Sequence, residues 1–107
     1  MSTRDDRIKE ILRDLGARFL LLNSNGSSLI TVTNVELTNR AKNATVFCTV
    51  FRTEFEKTAL EFAKRKRSEF KEFVMEHSKL GRVPQLDFDI DTGEKNRQKI
   101  DDLLSQN

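Results

Sequence analysis

Apolar residues near the start of the chain recur every three or four positions. Between residues 8 and 22 they are Ile8, Ile11, Leu12, Leu15, Phe19 and Leu22, with charged residues among them. This spacing matches the 3.6-residue period of an α-helix and predicts an amphipathic helix with one buried face. Gly16 lies inside the stretch at a cost of roughly 1 kcal/mol relative to Ala, which indicates close packing or a bend. The polar residues 23–28 predict a loop after the helix.

The period then changes to two, which is typical of β-strands. Leu29–Thr38 and Asn43–Arg52 are rich in Val, Ile, Thr and Phe, and the four residues between them predict an antiparallel hairpin. The faces of the second strand carry Ala44, Val46, Cys48 and Val50 on one side, and Thr45, Phe47, Thr49 and Phe51 on the other. In the first strand the apolar pair Ile30 and Val32 alternates out of phase with Val35 and Leu37. We therefore expect a β-bulge near Thr33-Asn34.

Helical spacing returns after residue 52 in two successive stretches. Thr53 and Glu56 form a capping-box pattern, which predicts that a helix begins there. The apolar positions of this first stretch are Phe55, Ala59, Phe62 and Ala63. Those of the second are Phe70, Phe73, Val74 and His77, continuing to Leu80, with Gly81 expected to end the helix in a left-handed conformation.

A third strand and a short helix complete the pattern. Val83-Pro84 predicts the start of a strand whose buried face carries Leu86, Phe88 and Ile90. Asp91 and Glu94 form a cap-like pair before a short C-terminal helix with Ile100, Leu103 and Leu104. The order helix-strand-strand-helix-helix-strand predicts an α+β fold, a single two-layer domain over residues 1–107 with a short C-terminal helix.

Composition narrows the possible functions. The longest apolar run, Phe19–Leu22, is far shorter than the ~20 residues of a membrane-spanning helix, so we expect no membrane association. Cys48 is the only cysteine, which excludes an internal disulfide and a multi-cysteine metal site and fits a cytoplasmic location. No nucleophile–base pair and no phosphate-binding loop is visible in the sequence. We therefore expect a protein that is not an enzyme and has no cofactor, no bound metal and no small-molecule substrate.

Two further groups of residues are candidates for chemistry. Asp87, Asp89 and Asp91 alternate along the third strand, and we interpret them as the exposed face of that strand rather than as a metal site. The single histidine, His77, lies near a helix end. At such a position a histidine interacts with the helix C-terminus more often than it takes part in catalysis. Neither group changes the expectation of a non-catalytic protein.

Charge is distributed unevenly along the chain, although the net charge is only +2. Residues 1–63 carry nine basic and eight acidic residues, residues 64–82 carry seven and three, and residues 83–107 carry three and six. The middle segment therefore has a net charge of +4. A compact basic segment in a nearly neutral chain indicates contact with an anionic surface at one face.

The densest part of this segment is the run Lys64-Arg65-Lys66-Arg67. Four consecutive helical residues sweep about 300° around the axis, so one of them must point inward. Lys66 lies four residues after Phe62 and four before Phe70, on the line of the buried stripe. We therefore predict a helix break near Lys66–Ser68, which would present several cations to phosphate groups. The alternatives are a solvated helix face, with pairs such as Arg65 and Glu69, and a nuclear-import patch.

The predicted nucleic-acid-binding residues are this run and the cations that flank it. They are Lys64, Arg65, Lys66, Arg67, Lys71, Lys79, Arg82, Arg40 and Lys42. Phe47 and Phe51 form a second candidate surface, because both would project from the sheet face opposite the helices. There they could stack on bases or contact a protein partner, or the terminal segments could cover them.

The order of elements is that of the type II KH domain, and the sequence motifs resemble the ribosome-binding factor A family. The resemblance covers about residues 7–104 and rests on Arg7-Ile8, Ile30–Leu37, Ala44–Val50, the Val83-Pro84-Gln85-Leu86-Asp87-Phe88 strand and the segment from Asp91-Thr92-Gly93 to Leu103-Leu104. Two positions depart from the family pattern. Lys66-Arg67-Ser68 stands where the family has an Ala-x-Gly kink, and Arg40-Ala41 stands where it commonly has Asp-Leu.

The resemblance implies a bacterial ribosome assembly factor. Such a factor binds the immature small ribosomal subunit near the 5′ end of its rRNA and promotes late maturation, often with a role in growth at low temperature. We expect a cytoplasmic monomer that binds rRNA through its basic helix junction. The alternative is a protein-interaction domain that uses Phe47 and Phe51 and leaves the basic run as a solvated surface.

Overall fold

The computed structural model describes residues 3–24 and 29–105, with side chains through residue 100 and at Leu103. The elements in chain order are α1 (Arg4–Asn23), β1 (Leu29–Thr38), β2 (Asn43–Phe51), a 3-10 turn (Thr53–Phe55), α2 (Glu56–Arg65), α3 (Arg67–His77), β3 (Gln85–Ile90) and α4 (Thr92–Ser105). This is the predicted α+β order, with a helix after the last strand. Residues 25–28 of the predicted loop and the Leu104 side chain lie outside the described residues.

The sheet has three strands in the order β1-β2-β3. β1 and β2 form the predicted antiparallel hairpin, and their register shifts between Val32 and Asn34, which confirms the predicted bulge. β3 pairs with β2 in parallel, with Asn43 opposite Gln85 and Cys48 opposite Ile90. The central strand is therefore β2. It pairs with β1 on one side and, on the other, with β3 from a distant part of the chain.

The core lies between one face of the sheet and helices α1, α2 and α3. Its buried apolar side chains include the predicted β2 face, together with Leu12, Phe19, Phe70, Val74 and Phe88. The ring of Phe70 lies 5.1 Å from that of Phe19 and 5.2 Å from that of Phe88, centroid to centroid, in tilted aromatic contacts. No helix within the described ranges is long and apolar enough to cross a membrane.

Gly16 packs closely against the sheet and α3. A Cβ atom built on it would lie 3.3 Å from Cγ1 of Val46 and 3.6 Å from the Phe70 ring. The close packing predicted for this glycine is confirmed. The buried arc of α1 runs from Leu15 through Phe19 to Gly16 and Leu20, so Leu22, predicted to be buried, is 72% exposed at the last turn.

Two predicted helix ends are wrong, in each case because a side chain has another partner. Thr53 does not cap α2, which begins at Glu56 after the 3-10 turn; the Glu56 carboxylate accepts a hydrogen bond from Lys95 of α4 instead. α3 ends at His77 and not at Leu80, because Ser78 is extended and its hydroxyl donates to the carbonyl of Val74. Gly81 therefore ends no helix, and β3 begins at Gln85 rather than at Val83.

The cap-like pair before α4 is confirmed, since Oδ1 of Asp91 accepts a hydrogen bond from the Glu94 amide at 3.0 Å. The helix itself is 14 residues long rather than short. Ile100 and Leu103 on it are exposed.

Candidate nucleic-acid interface

The junction between α2 and α3 interrupts the helical backbone at one residue. α2 ends at Arg65, α3 begins at Arg67, and Lys66 between them has φ −95° and ψ 9°. The amide of Lys66 donates to the Ala63 carbonyl at 3.0 Å, as in a 3-10 turn. The break predicted near Lys66–Ser68 is confirmed. This conformation is open to any residue, so the junction forms without the small residues of the Ala-x-Gly pattern.

Lys66 does not bury its charge at this break. Its ammonium lies 5.7 Å from the centroid of the Phe62 ring and 3.4 Å from a carboxylate oxygen of Glu69. The aliphatic stem thus extends along the edge of the core while the charged end reaches solvent. Glu69 is the partner of Lys66 and not of Arg65, so the pair expected for a simple solvated helix face does not form.

Lys64 and Arg67, on either side of the break, converge on Asp87 of β3. Nζ of Lys64 and NH1 of Arg67 lie 3.0 Å and 3.1 Å from the same oxygen, Oδ1. That oxygen also accepts a hydrogen bond from the Phe88 amide at 2.8 Å. Partial desolvation raises the pKa of Asp87, but the hydrogen bonds from Lys64 and Phe88 and the charges of Lys64 and Arg67 outweigh it and leave the pKa lowered.

The remaining cations of the segment point into solvent. Arg65, Lys71, Lys79 and Arg82 are exposed, and among the described residues none of them has a carboxylate partner. They are available to an external anion without the loss of an internal contact.

The hairpin turn brings two more cations close to the start of β3. Asn39, Arg40 and Ala41 all have positive φ values, of 53°, 55° and 64°. The carbonyl of Lys42 accepts a hydrogen bond from the Gln85 amide at 2.8 Å, which places the turn beside the residues that follow Arg82. Since Asp87 is two residues beyond Gln85, the turn and the helix junction both adjoin the first half of β3. We refer to the nine predicted RNA-binding cations together as the basic face.

Phe47 and Phe51 project from the sheet face away from α1–α3, but they do not form one platform. Phe47 is half-buried and lines a shallow cavity of about 250 Å³ that includes Glu36 and Asp91. Phe51 is 70% exposed and lies opposite Leu29, which is 62% exposed. The carboxylates beside Phe47 repel phosphate groups, whereas the Leu29–Phe51 pair is an uncharged apolar surface.

The other candidate groups have structural roles. The Asp89 carboxylate accepts a hydrogen bond from the Ile90 amide on the outer edge of β3, and His77 bonds the carbonyl of Phe73. Burial, together with the nearby charges of Asp89, Glu56 and Asp91, raises the pKa of the Cys48 thiol to about 11, so it stays protonated and unreactive. Across the described part of the chain no cluster of three or more His, Cys, Asp or Glu residues could hold a metal ion.

Asp87 is the residue at this site that sequence reasoning did not assign to it. In the sequence it is one of three alternating aspartates, and it lies 20 residues from Arg67. The only signal was the excess of acidic residues that follows the basic segment, but a net charge does not identify which carboxylate pairs with which cation.

Comparison with known proteins identifies the family of this chain. The sequence model of the family described as Ribosome-binding factor A matches residues 4–104. No curated protein matches the chain.

Three known structures resemble the fold. Ribosome-binding factor A from Thermus thermophilus, in its crystal structure, has a TM-score of 0.69 at 21% identity, over 78% of this chain and 92% of that one. A homology model of the Thermus thermophilus factor, fitted into a cryo-EM map of its complex with the 30S subunit, has a TM-score of 0.64 at 22% identity, over 74% and 86%. The solution NMR structure of a Thermotoga maritima protein, proposed to be a ribosome binding factor A, has a TM-score of 0.54 at 21% identity, over 78% of each chain. Since the family match spans nearly the whole chain, the protein belongs to the ribosome-binding factor A family.

Proposed function

We propose that this protein is a ribosome assembly factor that binds the immature small ribosomal subunit through phosphates of its rRNA. The observation that carries the proposal is the basic face, where solvent-exposed cations from α2, α3 and the segment before β3 lie on elements that adjoin the first half of β3. Family membership and the 30S complex of the Thermus thermophilus factor support the choice of partner. The basic face explains how an almost neutral chain recognises a polyanion.

The more detailed parts of the proposal follow from the family. The protein acts as a monomer in the cytoplasm, binds near the 5′ end of the small-subunit rRNA and promotes late maturation of that end, with a role in growth at low temperature. It catalyses no reaction and uses neither a cofactor nor a small-molecule substrate. Phosphate contacts position the domain on the subunit, while the shape of the rRNA determines where it binds.

Charge reversal on the basic face tests the proposal. Arg65→Glu with Lys71→Glu changes two exposed cations that have no internal carboxylate partner in the described ranges, so the fold should be preserved. We expect binding to precursor small subunits in cosedimentation to fall by at least about tenfold, because each lost phosphate contact also becomes a repulsion.

The matched control is Arg13→Glu with Lys99→Glu on α1 and α4, which changes the net charge equally at exposed positions outside the basic face. Equal loss of binding in both double variants would indicate a general effect of net charge and contradict the proposed surface.

The second candidate function is a protein-interaction domain, and the exposed Leu29–Phe51 pair favours it. Phe51→Ser distinguishes the two candidates. The substitution should leave subunit binding unchanged if the basic face is the binding surface, and should abolish binding if the partner is a protein held at this apolar surface.

A further inference from the structure

The contact among Lys64, Arg67 and Asp87 has the composition of a phosphate-binding site. Two cations and one backbone N–H group converge on a single carboxylate oxygen, at 3.0, 3.1 and 2.8 Å. Arginine, lysine and main-chain amides are the groups that bind phosphate oxygens in proteins. In addition, no side chain caps the N-terminus of α3, which begins at Arg67.

The two ion pairs are open to exchange with an external anion. The side chains of Lys64, Arg67 and Asp87 are 37%, 48% and 42% exposed, so each is partly hydrated. Ion pairs at such positions contribute little to stability, and a phosphate oxygen offers the same cations an equivalent partner. If the phosphate replaces Asp87, however, the displaced carboxylate stays close to the phosphate group and repels it.

We propose that Asp87 occupies an RNA phosphate site at the α2–α3 junction and thereby limits the affinity of this protein for RNA. The site takes a phosphodiester group in place of the carboxylate, with Lys64 and Arg67 as its ligands. This inference rests on the proposed function for the identity of the polyanion, but the anion site itself is defined by the geometry alone. Asp87 is then an internal competitor that keeps binding weak enough to be reversible.

Asp87→Asn tests this competition directly. Asn keeps a side-chain oxygen that can accept the Phe88 N–H, and it removes the charge that holds Lys64 and Arg67. We expect binding to precursor small subunits to become about tenfold tighter, and the slope of log K against log salt to steepen by roughly 0.7 to 0.9, as for one added phosphate contact.

Asp89→Asn is the matched control. Asp89 lies two residues along the same strand and also accepts from the following amide, but no cation within the described residues pairs with it. Its replacement makes the same change in net charge, so it should tighten binding far less and leave the slope unchanged. Equal effects of the two substitutions, or weaker binding by Asp87→Asn, would overturn the proposal and make Asp87 a residue that positions the two cations.

A second pair of variants does not depend on replacing Asp87. Lys64→Gln with Arg67→Gln removes two cations that share the carboxylate of Asp87, whereas Arg65→Gln with Lys71→Gln removes two cations with no carboxylate partner among the described residues. The first pair should reduce subunit binding by less than the second, and the opposite order would contradict competition by Asp87. Circular dichroism melting of each variant verifies that it is folded.

Inorganic polyphosphate separates this inference from the proposed function. In NMR titrations of the full chain, the Phe88 amide and the Arg67 Nε–H signal should shift with polyphosphate at lower concentration in Asp87→Asn than in the unchanged protein. This result would support the anion site even if neither protein bound the small subunit, an outcome that would refute the proposed function alone. Identical titrations would overturn the anion site whether or not the subunit was bound.

Discussion

Three consecutive left-handed residues form the hairpin turn, and none of them is glycine. Side chains other than that of Gly are strained in this region, because Cβ crowds the following carbonyl oxygen. Asn tolerates the conformation best, which leaves Arg40 and Ala41 as the strained positions. The turn holds this geometry because β1 and β2 pair on both sides of it and Lys42 bonds to β3.

Ala41→Gly should therefore stabilise the protein by about 1 kcal/mol, because Gly adopts positive φ without a steric cost. Urea unfolding followed by circular dichroism measures the change. The control is Ala17→Gly on the exposed side of α1, where the same substitution should destabilise by a similar amount. Destabilisation by both substitutions would show that the turn is not strained.

Individual residues also show how far the sequence predicts the site. The unfavourable position of Lys66 on a buried stripe was visible from its spacing to Phe62 and Phe70, and the helix break occurs there. The partners of Lys64 and Arg67 were not predictable, because they depend on the position of β3 beneath α2 and α3. A local rule identifies an unfavourable residue, but a long-range contact depends on tertiary packing.

At the scale of elements, Asp91 joins three parts of the fold. Its Oδ1 caps α4, its Oδ2 accepts the Thr33 hydroxyl at 2.5 Å, and its amide donates to the Cys48 carbonyl of β2. The bulge in β1 places Thr33 where its hydroxyl can reach Asp91. The bulge was predictable from the phase change of the apolar residues, whereas its use as an anchor for α4 was not.

Thr33→Val should destabilise the protein by about 1 kcal/mol at pH 7, since it removes a hydrogen bond to a charged acceptor while keeping the branched shape. The hydrogen bond from Thr33, followed by that from the Glu94 amide, lowers the pKa of Asp91. A lowered pKa in the folded state stabilises the fold above the unfolded value of roughly 3.9, and this stabilisation is lost as the pH falls through the folded pKa.

The difference in unfolding free energy between Thr33→Val and the unchanged protein should therefore shrink below about pH 4, the range in which an aspartate carboxyl protonates. Urea unfolding at a series of pH values measures it. Thr31→Val, on an exposed position of the same strand, should show no such pH dependence. A constant difference across pH for Thr33→Val would mean that the hydroxyl does not stabilise the charged form of Asp91.

The sequence predicts the first and last residues of some helices and strands correctly, but not those of others. The bounds of β1 agree with the prediction because both ends are marked by turn residues. The start of α2 and the end of α3 do not agree, because Glu56 bonds to Lys95 of α4 and Ser78 bonds to the last turn of α3. The capping signal at Glu56 fails because this side chain has another partner in the folded chain, and the apolar spacing up to Leu80 does not reveal that the extended Ser78 ends α3 earlier.

At the scale of the whole molecule, the basic segment becomes a face only through the sheet topology. The net charge of residues 64–82 was evident from composition, and it predicted an anionic partner. The parallel pairing of β3 with β2 then places the helix junction and the hairpin turn around the same half-strand. The same pairing brings Asp87 between two of the cations, so the number of cations free to bind an external anion is smaller than their count in the sequence.

Cosedimentation of the purified protein with precursor and mature small subunits across a salt series tests the central claim most directly. If about five free cations contact phosphates, log K should fall against log salt with a slope of roughly −3.5 to −4.5, and binding should favour the precursor. A slope near zero, or no binding to either subunit at low salt, would contradict rRNA binding through the basic face.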